Sequence, residues 1–394
     1  VSVEGPASQP REANLYEQFV AQSGKAHRLL SAHWELTYRC NEKCTHCYLD
    51  VFAPNAVVPG ELTTEECLRI MDELAELGVL NLTFSGGEVL TRRDFFQLAE
   101  YARAKRFLLR IMTNGILIKP AVADRIAALN PYAVEMSVYS TKPEVHEKIT
   151  RVPRSLELTL RAMRLLHERG IRTVMKTPLM RENVREIHAL RALAQELGAQ
   201  FRYDTTITPK DSGSLSPLQH RITYEDLVWL FREEFQPGMF QKRELGPEAR
   251  TCGITQFAIV IDPYGTVFPC IQTRVAAGNV RERSIREIWQ GSHVWQDLNL
   301  TLSELPVCRT CELRNICTRC HGIALVEDGD VRAPATVNCR EALARRQVLI
   351  EQGVLPADYP IPAHLQTSVS NLEPYLPPPN FVPVSSLGVP VVTE

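Results

Sequence analysis

The cysteines of this chain are not scattered, and their spacing constrains it more than any other feature. Cys40, Cys44 and Cys47 form an early group with Cys67. Cys252, Cys270, Cys308, Cys311, Cys317, Cys320 and Cys339 form a late one, and none lies between Cys67 and Cys252. Gaps of two, three and five residues are what a loop needs to wrap several thiolates around one metal centre. An odd total of 11, in a chain whose first residues lack the apolar run of a secretion signal, argues against a disulfide framework and for a cytoplasmic protein. Cys67 has a separate explanation. It shares helical spacing with Ile70, Met71, Leu74 and Leu77, in a helix opened by a Thr63/Glu66 capping box and stopped by Gly78, so it should face a core. Ten cysteines remain for metal.

Composition narrows the partners. Lys plus Arg total 44 against 46 for Asp plus Glu, a net charge of -2, so no basic field exists to gather nucleic acid or an anionic membrane. No apolar stretch approaches the ~20 residues that span a bilayer.

Between residues 33 and 204 apolar strand runs alternate with amphipathic helices. Strands are expected over 33–37, 79–84, 107–112, 132–138, 171–177 and 201–204, with helices over 64–77, 92–104, 121–128, 156–169 and 184–197 and a sixth over 224–235. Gly78, Gly170 and Gly198 each stand where a helix must turn into the next strand. This alternation predicts an α/β fold of parallel strands with right-handed crossovers. Six units are two short of a closed barrel, so the expectation is a partial (β/α)6 barrel with an open side. In such barrels functional residues collect where strands end. Those places hold the Cys40–Cys47 loop, Ser85 to Glu88, Thr113 to Gly115, Ser137 to Ser140, Lys176 and Asp204.

Three thiolates on one loop can hold three irons of a [4Fe–4S] cube and leave the fourth uncovered, as a catalytic site requires. A three-cysteine zinc site or a cluster for electron transfer alone is the alternative. Cys40-Asn-Glu-Lys-Cys44-Thr-His46-Cys47 followed by Phe84-Ser-Gly86-Gly87-Glu88 closely resembles the radical S-adenosylmethionine (SAM) superfamily. That resemblance implies that the open iron chelates the amino and carboxylate groups of SAM, and that an electron from the cluster splits the sulfonium to give methionine and a 5′-deoxyadenosyl radical. It also implies that Gly86 and Gly87 let the strand approach the methionine moiety and that Glu88 accepts from its ammonium. By the same likeness His46 lies near the adenine, Asn114 and Ser137 touch SAM, and Arg151 meets its carboxylate. A turn residue, a strand-end cap and a solvated charge are the plain alternatives for these last three.

Past residue 250 the character changes. Strands are expected over 256–262 and 266–269, joined as a hairpin by Asp262-Pro263-Tyr264-Gly265, and Ser284-x-x-Glu287 caps a short helix. The four-cysteine run 308–320 alone could be a zinc ribbon, but seven thiolates exceed one tetrahedral ion. The order Cys252, Gly265, Cys270, the run, then Cys339 resembles the SPASM domain, an α+β extension that carries auxiliary Fe–S clusters. The family places three residues before the last cysteine of the run; here Thr318 and Arg319 make only two. That resemblance implies one closed cluster on Cys308, Cys311, Cys317 and Cys339, and another on Cys252, Cys270 and Cys320 that lacks a fourth cysteine. Substrate, water or a side chain such as His321 would complete it.

The expected organisation is thus an N-terminal extension (1–32) with one helix around 14–22, the barrel (33–235), a linker (236–250), the SPASM domain (251–346) and a Pro-rich tail (347–394). The tail is expected to be extended or disordered, or a strap anchored by Tyr359, Tyr375 and Phe381. The family likeness implies an oxidoreductase-like maturase of ribosomally made peptides, forming cross-links or oxidised side chains. It also implies a flavodoxin- or ferredoxin-type donor. The short N-terminus points to a separate leader-peptide-binding protein. Decarboxylation of a tetrapyrrole propionate is the alternative, and a non-catalytic Fe–S carrier is a third hypothesis. Sulfatase maturation is disfavoured because Ile271 follows Cys270 where that family has aspartate.

Overall fold

The computed structural model describes residues 14–235, 244–366, 381, 382 and 384. Helix α1 (Leu15–Lys25) opens on an Asn14/Glu17 capping box, as the sequence suggests. The alternating series then runs β1 (Ser31–Thr37), α2 (Thr64–Glu76), β2 (Asn81–Gly86), α3 (Phe95–Ala104), β3 (Leu108–Thr113), α4 (Pro120–Leu129) and β4 (Ala133–Ser137). It continues through α5 (Pro143–Thr150), α6 (Ser155–His167), β5 (Thr173–Pro178), α7 (Ile187–Glu196), β6 (Gln200–Asp204) and α8 (Tyr224–Glu234). The six strands pair in parallel in chain order. Gly78, Gly170 and Gly198 all take positive φ at the helix ends, and Cys67 is buried in the core with Ile70, Met71 and Leu74. Helix α5 is an element that the periodicity did not announce.

The chain then enters β7 (Ala258–Ile261), β8 (Thr266–Phe268) and β9 (Gly278–Asn279), followed by α9 (Ile285–Gly291), α10 (Val294–Asp297), α11 (His321–Asp328) and α12 (Thr336–Glu351). The expected hairpin forms, but it is not a sheet of its own. β7 pairs in parallel with β1, which gives one nine-stranded sheet in the order β6-β5-β4-β3-β2-β1-β7-β8-β9. The barrel wall therefore continues into the cysteine-rich region without a break. Helix α12 runs through residues 346 and 347, and the Ala249 carbonyl accepts from the Leu302 amide at 2.8 Å.

Period-two alternation divides the sheet into two faces. Trp34, Leu36, Leu82, Phe84, Leu109, Ile111, Val134, Met136 and Met175 lie in the main core against the helices. Their neighbours on the other face, Glu35, Arg110, Glu135, Lys176 and Arg202, are polar. At β7–β8 that inner face turns apolar: Val260 and Phe268 pack with Val326 of α11, Phe381 and Val384. The tail thus has an anchor at Phe381, and Tyr359 donates to the Glu312 carbonyl at 2.8 Å. Tyr375 and Pro377 to Pro379 lie outside the described residues.

Candidate functional site

The Cys40–Cys47 loop leaves the end of β1 and is held by its own backbone. The Cys40 amide donates to the Phe52 carbonyl (2.9 Å), and the Lys43 and Thr45 amides donate to the Thr150 and Ile149 carbonyls at 3.2 and 2.9 Å. Helix α5 is therefore the shelf on which the loop rests. The Cys44 thiol donates to Glu42 at 3.2 Å and lies 3.7 Å from the Tyr139 hydroxyl. Burial pushes the Cys40 and Cys44 thiols up and Cys47 up to about 11, and each is raised further by charge on another thiol or a nearby acid. Only a bound cation would make such thiols into thiolates at neutral pH.

The glycines of the next strand permit a close approach, and the neighbour is the cysteine loop itself. A Cβ on Gly86, where φ is +131°, would stand 2.2 Å from the Thr37 carbonyl oxygen; one on Gly87 would stand 2.4 Å from that of Arg39 and 3.1 Å from the Cys40 Cβ. Hydrogen bonds from the Gly87 and Glu88 amides to the same two carbonyls (both 2.8 Å) close the seam. The Glu88 carboxylate is fully buried and accepts from Thr113 (2.7 Å), the Asn114 amide (2.7 Å) and the Leu90 amide (3.0 Å). Burial nonetheless raises its pKa. Glu88 thus fixes the end of β3, with part of its accepting capacity already in use. Asn114 reaches back to the loop, donating to Asn41 at 2.7 Å.

The remaining expected SAM residues divide. Ser137 ends β4. His46 stands edge-on to Tyr139 with centroids 4.9 Å apart, its Nδ1 buried without a partner. Burial lowers its pKa to about 4, so the ring is neutral at pH 7. Arg151 caps α5 in the left-handed conformation at φ +59°, exposed and one residue beyond the shelf under the loop. Glu42 was missed: a lone acid between two cysteines carries no sequence signal of its burial.

The late cysteines fall into two sets by the charge they exert on one another. Burial raises Cys339 and Cys317, Cys317 to about 12, and charge on Cys308 and Cys311 raises both further. Cys320 is raised to about 12, after burial, by Cys270 and Cys252. Its sulfur lies 3.7 Å from the Gln272 side-chain oxygen. The His321 Nδ1 faces Arg319 at 3.3 Å, and its Nε2 is buried and unpartnered. Among the described residues no three His, Cys, Asp or Glu side chains converge on one ion position; the thiolates of a cubane bind separate irons at separate corners.

Two buried ion pairs join the two regions, Arg221 with Glu327 of α11 and Arg274 with Glu35 of β1. Arg274, four residues past Cys270, grips Glu35 of β1 with both terminal nitrogens (2.9 and 2.8 Å). The same carboxylate accepts from Tyr38 (2.9 Å) and from Tyr48 (2.5 Å), the residue after Cys47.

Two family models match the chain: the radical SAM superfamily over residues 34–194 and the SPASM iron–sulfur cluster-binding domain over 252–321. The AdoMet-dependent heme synthase of Methanosarcina barkeri is 30% identical over 325 residues, 75% of this chain and 92% of the relative. The chain belongs to the radical SAM superfamily. It is an enzyme that binds SAM and a [4Fe–4S] cluster, and its C-terminal SPASM domain binds Fe–S as well. The PqqA peptide cyclase of Granulibacter bethesdensis is 29% identical over 348 residues, 82% of this radical SAM enzyme and 91% of the cyclase. In fold it resembles Streptococcus suis SuiB bound to its precursor peptide SuiA, with a TM-score of 0.61 at 16% identity, covering 83% of this chain and 82% of that one. Among the described residues no helix is long and apolar enough to cross a membrane.

Proposed function

We propose that this radical SAM enzyme oxidatively modifies a ribosomally made peptide, by cross-linking or by oxidising a side chain. The observation that carries the reading is the inner wall. Below the cysteine rim it presents Arg110, Glu135, Lys176 and Arg202 instead of packed apolar layers, and β6 leaves the wall open at one edge. A barrel filled by apolar side-chain layers offers a substrate no polar lining; here the Lys176 side chain is 41% exposed. The likeness to a peptide cyclase over 82% of the chain supports the same substrate class.

In this reading Cys40, Cys44 and Cys47 hold the radical cluster, and Gly86, Gly87, Glu88, His46, Asn114, Ser137 and Arg151 surround SAM. Cys308, Cys311, Cys317 and Cys339 hold a closed auxiliary cluster, and Cys252, Cys270 and Cys320 an open one. When bound, the reduced cluster and SAM supply the radical that abstracts hydrogen. The chain's own part is placement. Glu88 locks the ends of β2 and β3 together, Asn114 ties β3 to the cysteine loop, and the neutral His46 stands edge-on to Tyr139. The partners are the peptide, a separate leader-peptide-binding protein and a flavodoxin- or ferredoxin-type electron donor. Tetrapyrrole propionate decarboxylation is the second reading, favoured by the 30% identity to a heme synthase. Anaerobic turnover with SAM decides. Peptides encoded beside the gene should lose hydrogen by mass, whereas loss of carbon dioxide from a tetrapyrrole would establish the second reading.

A further inference from the structure

Four adjacent strands carry an imbalance of charge on the inner wall. Arg110 of β3 and Lys176 of β5 both pair with the buried Glu135 of β4, Lys176 at 3.3 Å. Lys176 is directly opposite Arg202 of β6 in register. Like charges placed opposite on one face of a sheet destabilise it, and among the described residues no acid pairs with Arg202. Its guanidinium donates only to the Gln200 side chain at 3.3 Å, and its Nε is buried without a partner among the described residues. Asp204, two residues further on, accepts from the Thr206 amide. Two cations thus share one carboxylate, and a third, Arg202, stands beside them without one among the described residues. The lysine remains 41% exposed into the bore while Glu135 is 3% exposed.

Across the bore Glu35 is engaged by Arg274, whose Nε also lies 3.6 Å from Asp211. His33, on the same inner face of β1, is within electrostatic range of both Lys176 and Glu135 across the bore. Its Nε2 is buried and unpartnered, and burial lowers its pKa to about 4, so it brings no charge.

We propose that Lys176 and Arg202, backed by Arg110 and Glu135, form a subsite for a carboxylate of the substrate. This deepens the proposed function and rests on it: the modified molecule enters the bore acid-first, whether as an acidic residue or C-terminus of a peptide or as a propionate. A carboxylate between Lys176 and Arg202 would neutralise the surplus and form charge-assisted hydrogen bonds with both, Arg202 offering two parallel donors.

The test is equilibrium dialysis of anaerobic holoenzyme, with SAM saturating so that its own carboxylate is not what is read. The probes are radiolabelled N-acetylglutamate α-amide and a pyrrole monopropionate, each against its neutral carboxamide. Charge-assisted bonding should make at least one acid bind about tenfold tighter than its amide, and the acid that does so identifies the source. The Lys176→Met/Arg202→Met variant should lose the preference, and Lys176→Arg/Arg202→Lys should keep it. Glu135→Gln, which removes the internal competitor, should strengthen it; a purely structural role for these side chains predicts no such gain. Acids and amides that bind alike in both pairs, or a preference that survives in the Met variant or falls in Glu135→Gln, would overturn the subsite. Holoenzyme that cleaves SAM yet shows no preference overturns only the subsite. Holoenzyme that cannot cleave SAM overturns the function on which it rests.

Discussion

The loop of Cys40 to Cys47 and the run from Cys308 to Cys320 carry their thiols on different supports. The first is bonded through its backbone to Phe52, Ile149 and Thr150 and stands on parallel strands whose outer face belongs to the main core. The second is two single turns of 3-10 helix, Cys308–Thr310 and Glu312–Ile316. It rests on small apolar groups around Leu313 and Ile316 and around Leu300, Leu302 and Leu305. Short 3-10 turns have few bonds of their own to hold them. The first loop has its shape from the fold; the second depends on what its thiols bind.

That contrast predicts opposite outcomes for equivalent mutations. The Cys40→Ala/Cys44→Ala/Cys47→Ala variant should stay folded and soluble, keep the irons of the two auxiliary centres and lose all SAM cleavage to 5′-deoxyadenosine. Iron analysis of the wild type should approach about 12 atoms if all three centres are cubanes. Cys311→Ala should do the reverse, lowering soluble yield before activity can be measured, because metal binding and folding are coupled in small cysteine-rich regions. Undiminished SAM cleavage in the triple variant, or zinc in place of iron, would break the comparison.

A second prediction concerns the join between the two regions. Glu35 and Arg274 are almost wholly buried, at 0% and 1% exposure. Removing one partner of a buried pair typically costs about 3–5 kcal/mol, whereas replacing both with apolar groups can be nearly neutral. Arg274→Met should therefore lower the urea midpoint strongly, and Glu35→Leu/Arg274→Met should recover part of the loss. The intact pair also positions Tyr48 beside Cys47, so hydrogen exchange in the cysteine loop should quicken in Arg274→Met alone. Equal loss in single and double variants would mean that the join is held instead by the Arg221–Glu327 pair and the apolar contacts around Val260 and Phe268.

How far the sequence revealed this architecture follows from the same local-against-distant distinction. The six strands, the Thr63 and Ser284 capping boxes and the helix-ending glycines are encoded within a few residues, and each formed where expected. Helix α5 was not legible because eight residues are too few to display a period. Helix α12 was not, because it buries Asn338, Arg340 and Glu341 along with Leu343 and Val348; it has no polar face to mark it. The pairing of β7 with β1, and that of Glu35 with Arg274, join residues far apart in the chain, and nothing local in either segment names the other. In the site, spacing grouped the early thiols, but the burial of Glu42 and the three bonds on Glu88 depend on packing.

The smallest effect belongs to the shelf under the radical loop. His146 of α5 is buried, and its Nδ1 accepts from the Tyr139 amide at 3.2 Å. Burial lowers its pKa from 6.5 to about 4. The unfolded chain therefore binds a proton at this residue more readily than the folded one between those values. Its stabilising contribution is complete above about pH 6.5 and is lost as pH falls through 4, at a rate of at most about 1.4 kcal/mol per pH unit. His146→Asn, which can still accept from Tyr139 but cannot titrate, should flatten the acid limb of stability by about one proton, measured as the slope of urea midpoint against pH. Since the Ile149 and Thr150 carbonyls that hold the cysteine loop belong to the same helix, exchange at the Thr45 amide should follow that limb in the wild type. It should follow it less in the variant. A limb unchanged by His146→Asn would assign the acid sensitivity to His33, His46 or His321, whose pKa values are lowered to about 4 by the same burial, and would place it in the bore, beside Cys47 or beside Cys320 rather than in the shelf.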